Sequence, residues 1–249
     1  MNCREFGTDG KDVIMLLHGG GLSWWNYRDV AHLLEDSYHI ILPILDGHGG
    51  SDRHFTTIED NASEIIDFID QRLGGSVLFI GGLSLGAQIL LEMLSQRRGI
   101  CSHALVESAA VIPSKMTNML IGPAFGSSYG LIKSRSFAKL QFKSLHMKEE
   151  LFEDYYRDTC LIGKQDMIAF MKANTSYSLK ENIEEAKTDV HVVIGGKENR
   201  EIRRSAEHIC SRLPSSKFTC LEGLYHGEFS ISHPEEYTET VRRICGGGR

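Results

Sequence analysis

The tightest constraint on this chain lies in residues 77–99. An apolar run at 77–80 leads into Gly82-Leu83-Ser84-Leu85-Gly86, and a helix-like stretch through Ile89, Leu90, Met93 and Leu94 follows, stopping near Gly99. A short, unbroken apolar run fits a strand buried on both faces, so this segment predicts strand, sharp turn, helix. Glycines two positions either side of Ser84 let the chain turn tightly and let strand and helix approach each other. Such a turn lifts the serine hydroxyl clear of a sheet. It also sets the Leu85 N–H at a helix N-terminus, where partial positive charge favours an oxyanion. An inert Gly/Ser turn would share the pentapeptide; the strand before it and the helix after it favour a nucleophile.

The same rhythm extends along the chain. Residues 12–17 and 39–45 read as buried strands, with a helix-like segment at 25–35 between them. Thr57 opens a helix in a capping-box pattern with Asp60, and Ile58, Ala62, Ile65, Ile66, Ile69 and Leu73 fall on one face. Gly74-Gly75 ends it, and Ala104-Leu105-Val106 is a further short strand. Repeated β-α-β units imply an α/β fold with a mostly parallel sheet and helices on both faces. Residues 111–187 break the pattern with helix-like segments rich in Met, Phe and Tyr. Strands at 190–194 and 217–221, a helix at 202–213 and a final helix after Pro234 restore it. The expected division is a core of 1–110 and 188–249 with a helical insertion at 111–187. The Gly246-Gly247-Gly248 tail is expected to be disordered.

A chain of 249 residues suits one sizeable domain that needs no disulfides or structural metal. Its six cysteines lack CxxC or metal-ligand spacing. A net charge of −6 and a pI near 6.0 argue against nucleic acid or an anionic membrane as main partner. The first seven residues lack the apolar core of a signal peptide, and no apolar run approaches the roughly 18 residues of a membrane span. The expectation is a cytoplasmic monomer or homodimer without stable membrane insertion.

Other residues gather around the Ser84 turn. His18-Gly19-Gly20-Gly21 follows the strand at 12–17, and such a loop can offer a backbone N–H to a substrate oxygen. Gly20 is the preferred donor and Gly21 the alternate; His18 reads as a brace. Neither G-x-G-x-x-G nor a Walker pattern is present to make this a phosphate loop. A serine hydroxyl needs a base. Among eleven histidines, His226 lies after the last strand and before the last helix, where the chain order serine, acid, histidine places it. His48, His191 and His233 read as structural. Glu198, just past the strand at 190–194, is the expected acid, and Glu107, one strand earlier, competes with it.

Taken together, these residues resemble the α/β-hydrolase superfamily over nearly the whole chain, including the Gly47-His48-Gly49-Gly50-Ser51 turn. The likeness is nearest to small bacterial carboxylesterase-like and lysophospholipase-like members with a helical cap. Two departures are a glutamate where aspartate is commoner at the acid position, and an N-terminal segment with room for only one or two short strands. The resemblance implies a serine hydrolase that cleaves carboxylic esters through an acyl-enzyme on Ser84. Glu198 and His226 would assist, Gly20 and Leu85 would form the oxyanion hole, and 111–187 would be a cap. No cofactor or metal is implied, and the expected partner is a small-molecule ester. Trp24, Met119, Phe125 and Tyr129 are candidate substrate contacts, while Lys133, Arg135, Lys139 and Lys143 form a basic face. A lysophospholipase or monoacylglycerol lipase, and a non-catalytic ligand-binding protein on the same fold, are the alternatives.

Overall fold

The apolar runs become strands of one sheet. The computed structural model describes residues 1–246 apart from the side chains of 126–128, so Gly247 and Gly248 of the tail lie outside the described residues. Its strands are β1 (Cys3–Phe6), β2 (Val13–Leu17), β3 (His39–Pro43), β4 (Val77–Leu83), β5 (Cys101–Glu107), β6 (Asp189–Gly195) and β7 (Lys217–Leu221). They are ordered β1-β3-β2-β4-β5-β6-β7. β1 is antiparallel to β3, and every other pair is parallel. The short N-terminal segment thus supplies one abbreviated edge strand.

Period-two alternation splits the core between the sheet's two faces. Met15, Leu17, Ile80, Ala104 and Val106 pack with α2 (Ile58–Arg72), α3 (Leu85–Gln96) and α8 (Arg200–Arg212). Ile14, Leu16, Phe79 and Leu105 pack with α1 (Arg28–Leu34), α9 (Glu228–Ser232) and α10 (Pro234–Gly246). Each fully buried aliphatic side chain contributes roughly 1.5–3 kcal/mol. The Thr57 side chain accepts the Asp60 N–H at 3.0 Å, starting α2 where the capping pattern places it.

β4 runs further than its apolar run, because Gly81 and Gly82 stay paired with β2 and β5. These contacts need glycine. A Cβ on Gly82 would meet the Gly86 carbonyl oxygen at 2.5 Å, and one on Gly86 would meet that of Leu17 at 2.2 Å.

Between β5 and β6 lie α4 (Lys115–Ile132), α5 (Arg135–Ser144), α6 (Phe152–Leu161) and α7 (Lys164–Ser176). They dock on loops at the carboxyl ends of the parallel strands. Trp25 Nε1 donates to Asp158 at 2.8 Å, Arg28 pairs with Asp154 at 2.8 Å, and the Phe55 N–H donates to Asp166 at 2.9 Å. Among the described residues no helix is long and apolar enough to cross a membrane.

Candidate active site

Ser84 ends β4 and starts α3 with φ 52° and ψ −108°, a conformation that a side chain rarely adopts. The Ser84 N–H holds the strain in place by donating to the Glu107 carbonyl at 2.9 Å. Its half-buried side chain lines a cavity of about 260 Å³. Leu85, the first residue of α3, lines it too, and its N–H has no acceptor within the helix.

The cavity's opposite lip is the loop after β2. His18 Nδ1 bonds the Gly19 carbonyl at 2.9 Å and its Nε2 accepts the Leu45 N–H at 3.1 Å, fixing one neutral tautomer. His48 repeats the device: Nδ1 bonds the Asp46 carbonyl at 2.9 Å and Nε2 accepts the Gly21 N–H at 3.0 Å. Burial pushes His18 down to about 3, helped by the neighbouring His48, and burial pushes His48 down to about 4. Both are neutral braces. Because the Gly21 N–H is taken by His48, the Gly20 N–H is the one left without a partner among the described residues.

His226 lies in the loop after β7, and its ring lines the same cavity. Nδ1 meets Glu198 Oε2 at 2.7 Å. The Glu198 side chain is only 1% exposed, and Oε1 accepts from the Ser108 hydroxyl at 2.6 Å and the Gly195 N–H at 2.9 Å. Burial would raise this carboxyl, but the His226, Ser108 and Gly195 hydrogen bonds and the His226 charge outweigh it, and its pKa is lowered. The two loops are tied by backbone: Gly196 N–H to Leu221 O at 2.8 Å and Lys197 N–H to Leu224 O at 2.9 Å. No hydrogen bond joins the Ser84 hydroxyl to His226 among the described residues. Such bonds are often long until substrate is bound.

This serine, buttressed histidine and buried acid, in this chain order on this sheet, invite comparison with known proteins. Residues 14–240 match the model of the Alpha/beta hydrolase family. The chain belongs to that family. An AB hydrolase superfamily protein from Gibberella zeae is 31% identical over 137 residues, 53% of this chain. The match spans only 47% of that relative's length. A thermophilic esterase from Thermogutta terrifontis superposes on this α/β-hydrolase with a TM-score of 0.79 at 16% identity, covering 97% of this chain and 91% of the other. An esterase from Exiguobacterium antarcticum gives 0.82 at 20% identity, covering 98% and 94%. The enol-lactonase from Burkholderia xenovorans gives 0.83 at 13%, covering 98% and 96%. At these identities the superpositions establish the α/β-hydrolase fold.

Of the residues expected in the α/β-hydrolase site, Ser84, His226, Gly20, Leu85 and Phe125 line one cavity, and Glu198 stands behind His226. Glu107 does not bond the imidazole; it is buried beneath and accepts the Ser230 N–H at 3.3 Å. Three expected substrate contacts lie elsewhere. Met119 is 71% exposed on the outer face of α4. The Tyr129 hydroxyl is spent on the Ile162 carbonyl at 2.6 Å, and Trp24 packs beside Phe6 under the Arg4 guanidinium. Sequence reasoning missed Ser108, whose φ of 57° aims it at the acid from the end of β5. It also missed Met167, Phe170 and Met171, the α7 wall of the cavity.

Proposed function

We propose that this α/β-hydrolase is a serine-dependent hydrolase of small carboxylic esters. The observation that carries the reading is the Ser84 and His226 pair on one cavity, with Glu198 fixed on Nδ1 by a carboxylate that is itself held twice. Ser84 Oγ attacks the ester carbonyl and its proton passes to His226 Nε2. The oxyanion is held by the Leu85 and Gly20 N–H groups. The C–O bond breaks, the alcohol leaves with the proton from His226, and an acyl-enzyme remains. Water then gives its proton to His226, attacks the acyl carbon and releases the acid as Ser84 recovers its proton. Glu198 stabilises the imidazolium in both steps without taking the proton. Residues 111–187 act as a cap over the core of 1–110 and 188–249, and their side chains form much of the wall of the cavity. A cavity of about 260 Å³ sits at the small end of ligand sites and favours a compact substrate.

The test is hydrolysis of 4-nitrophenyl esters from acetate to palmitate by wild type and Ser84→Ala. The wild type should favour short chains, and the variant should lose roughly 10⁴- to 10⁶-fold in kcat. No turnover across the series, together with no labelling by a fluorophosphonate, would overturn the reading. Exposed Met116, Met119 and Leu120 on α4 favour a second reading, a lysophospholipase or monoacylglycerol lipase working at a lipid surface. An optimum at long chains would select it.

A further inference from the structure

The glycine loop that offers Gly20 is held in part from outside the core. Consecutive glycines leave a backbone free to turn, so the loop's donors need fixing by neighbours. The Gly19 N–H donates to Asn26 Oδ1 at 3.2 Å, and the Gly21 N–H donates to His48 Nε2 at 3.0 Å. The second pin is as firm as the seat of the His48 ring.

That seat is shared between the core and α7. The Phe170 ring stacks on the imidazole with centroids 4.5 Å apart and planes at 24°, while the His18 ring meets it T-shaped at 5.0 Å. Phe170 is buried, and Phe55 packs against it at 6.1 Å. A Cβ on Gly20 would lie 3.7 Å from Phe170 Cδ2, so the same ring borders the expected donor itself. Two acids seat the helices this close. Asp166, one turn before Phe170 on α7, accepts the Phe55 N–H and packs on Gly47, where a Cβ would meet the Asp166 Cβ at 2.9 Å. Asp158 of α6 packs on Gly49 in the same way, again at 2.9 Å. Glycine at 47 and 49 permits both approaches.

His48 can accept the Gly21 N–H only while Nε2 carries no proton. The titratable groups facing the ring are His18, itself neutral, and Asp166, whose charge favours an imidazolium. Asp46 and Asp158 stand beside the turn but are paired with Arg53 and Arg157. Burial outweighs the pull of Asp166, and Phe170 covers one face of the ring.

We infer that Phe170 is a positioning residue: by lying on the His48 imidazole it holds the Gly21 N–H, and through it the Gly20 N–H, in place for the oxyanion. The inference rests on the ester-hydrolase reading above, which supplies the oxyanion. It gives α7 a part in transition-state stabilisation although none of its atoms touches a reacting atom, since donors must be aligned before charge develops.

The test compares wild type with Phe170→Ala in hydrolysis of 4-nitrophenyl butyrate and in the titration of His48 followed by side-chain NMR, with His48→Gln assigning the signal. Phe170→Leu, closer in volume, is read by the same criteria should the alanine variant fail to fold. In the variant kcat should fall by about tenfold or more with a smaller change in KM. His48 should stay neutral to about pH 4 in wild type and protonate nearer the ordinary 6.5 in the variant. A raised KM with kcat retained makes Phe170 a plain cavity wall and overturns the inference. So does a fall in kcat with an unchanged His48 titration. Wild-type protein that neither turns over the ester nor is labelled by a fluorophosphonate sinks the ester-hydrolase reading instead. The titration then decides the hold of Phe170 on His48: a higher pH in the variant supports it, and the same pH in both proteins overturns it.

Discussion

Helices α3 and α4 are both strongly apolar, yet they live in opposite surroundings. α3 starts at the Ser84 turn and buries eleven of its twelve residues against the sheet, α2 and the segment ahead of β6. α4 packs on α7 and α5 and leaves Met116 and Leu120, 73% and 57% exposed, facing outward. Ser84, Glu198 and His226 sit where strand ends and their loops are cross-tied by backbone hydrogen bonds. Much of the cavity wall instead comes from α4 to α7, helices tied to the sheet's loops by a few polar docks such as Trp25–Asp158. Precise chemistry needs the first kind of support, and changeable recognition is served by the second.

The comparison can be broken in order of effect. Glu198→Gln keeps the shape of the acid but removes the charge that favours an imidazolium, and kcat should fall by about 10²- to 10⁴-fold with the fold intact. Steady-state kinetics alongside Glu107→Gln checks it; the larger loss appearing in Glu107→Gln would move the acid to the end of β5. Gly86→Ala should cost roughly 3–5 kcal/mol in denaturant unfolding, since its Cβ has the Leu17 and His18 carbonyls within 2.6 Å and the backbone cannot yield.

Glu107 gives a pH signature of the rigid region. Burial, only partly offset by the Ser230 hydrogen bonds and the His226 charge, pushes its carboxyl up from 4.5 to about 7. Between those values the folded protein keeps a proton that the unfolded chain releases, so this group's contribution to stability falls as pH rises. Relative to wild type, Glu107→Gln should gain roughly 3 kcal/mol in unfolding free energy from pH 4.5 to 7 and little beyond. A difference that is flat with pH would show that Glu107 is ionised in the fold. The smallest effect belongs to α4. Gly122→Ala meets nothing nearer than the Lys172 side chain at 3.9 Å and should raise stability by about 0.5–1 kcal/mol through helix propensity. A loss comparable to that of Gly86→Ala would erase the contrast between the two helices.

How much of this was legible in the sequence follows the same divide. Strands buried on both faces announce themselves as unbroken apolar runs, so β2, β3, β4 and β6 stand out, and with them the loops carrying Gly20, Ser84 and Glu198. β1 has little such signal: Cys3–Phe6 is a half-exposed edge strand that exists because β3 offers it a partner. α4 is apolar all round, so periodicity could not tell Phe125, which lines the cavity, from Met119, which faces away. Ser108 was hidden for another reason. Its task depends on a left-handed backbone at the end of β5 and on Glu198, ninety residues later, and no local pattern encodes that meeting. The direct neighbour of Glu107 could still have drawn notice, because a polar residue directly after a buried strand sits at the sheet's carboxyl edge.

The two braces of the glycine loop also set how the protein answers acid. His18 and His48 hold their neutral forms down to about pH 3 and 4, whereas the unfolded chain protonates both near 6.5. Below that point the unfolded state takes up protons that the native loop refuses, so native stability drains away as pH falls from 6.5 toward 4. The loop's own hydrogen bonds do not change over the same range. Acid therefore thins the population of folded molecules while each survivor keeps its Gly20 lip in register. An acid limb in activity that recovers fully on neutralisation and tracks the folded fraction would be the outward sign of two histidines that stay unprotonated.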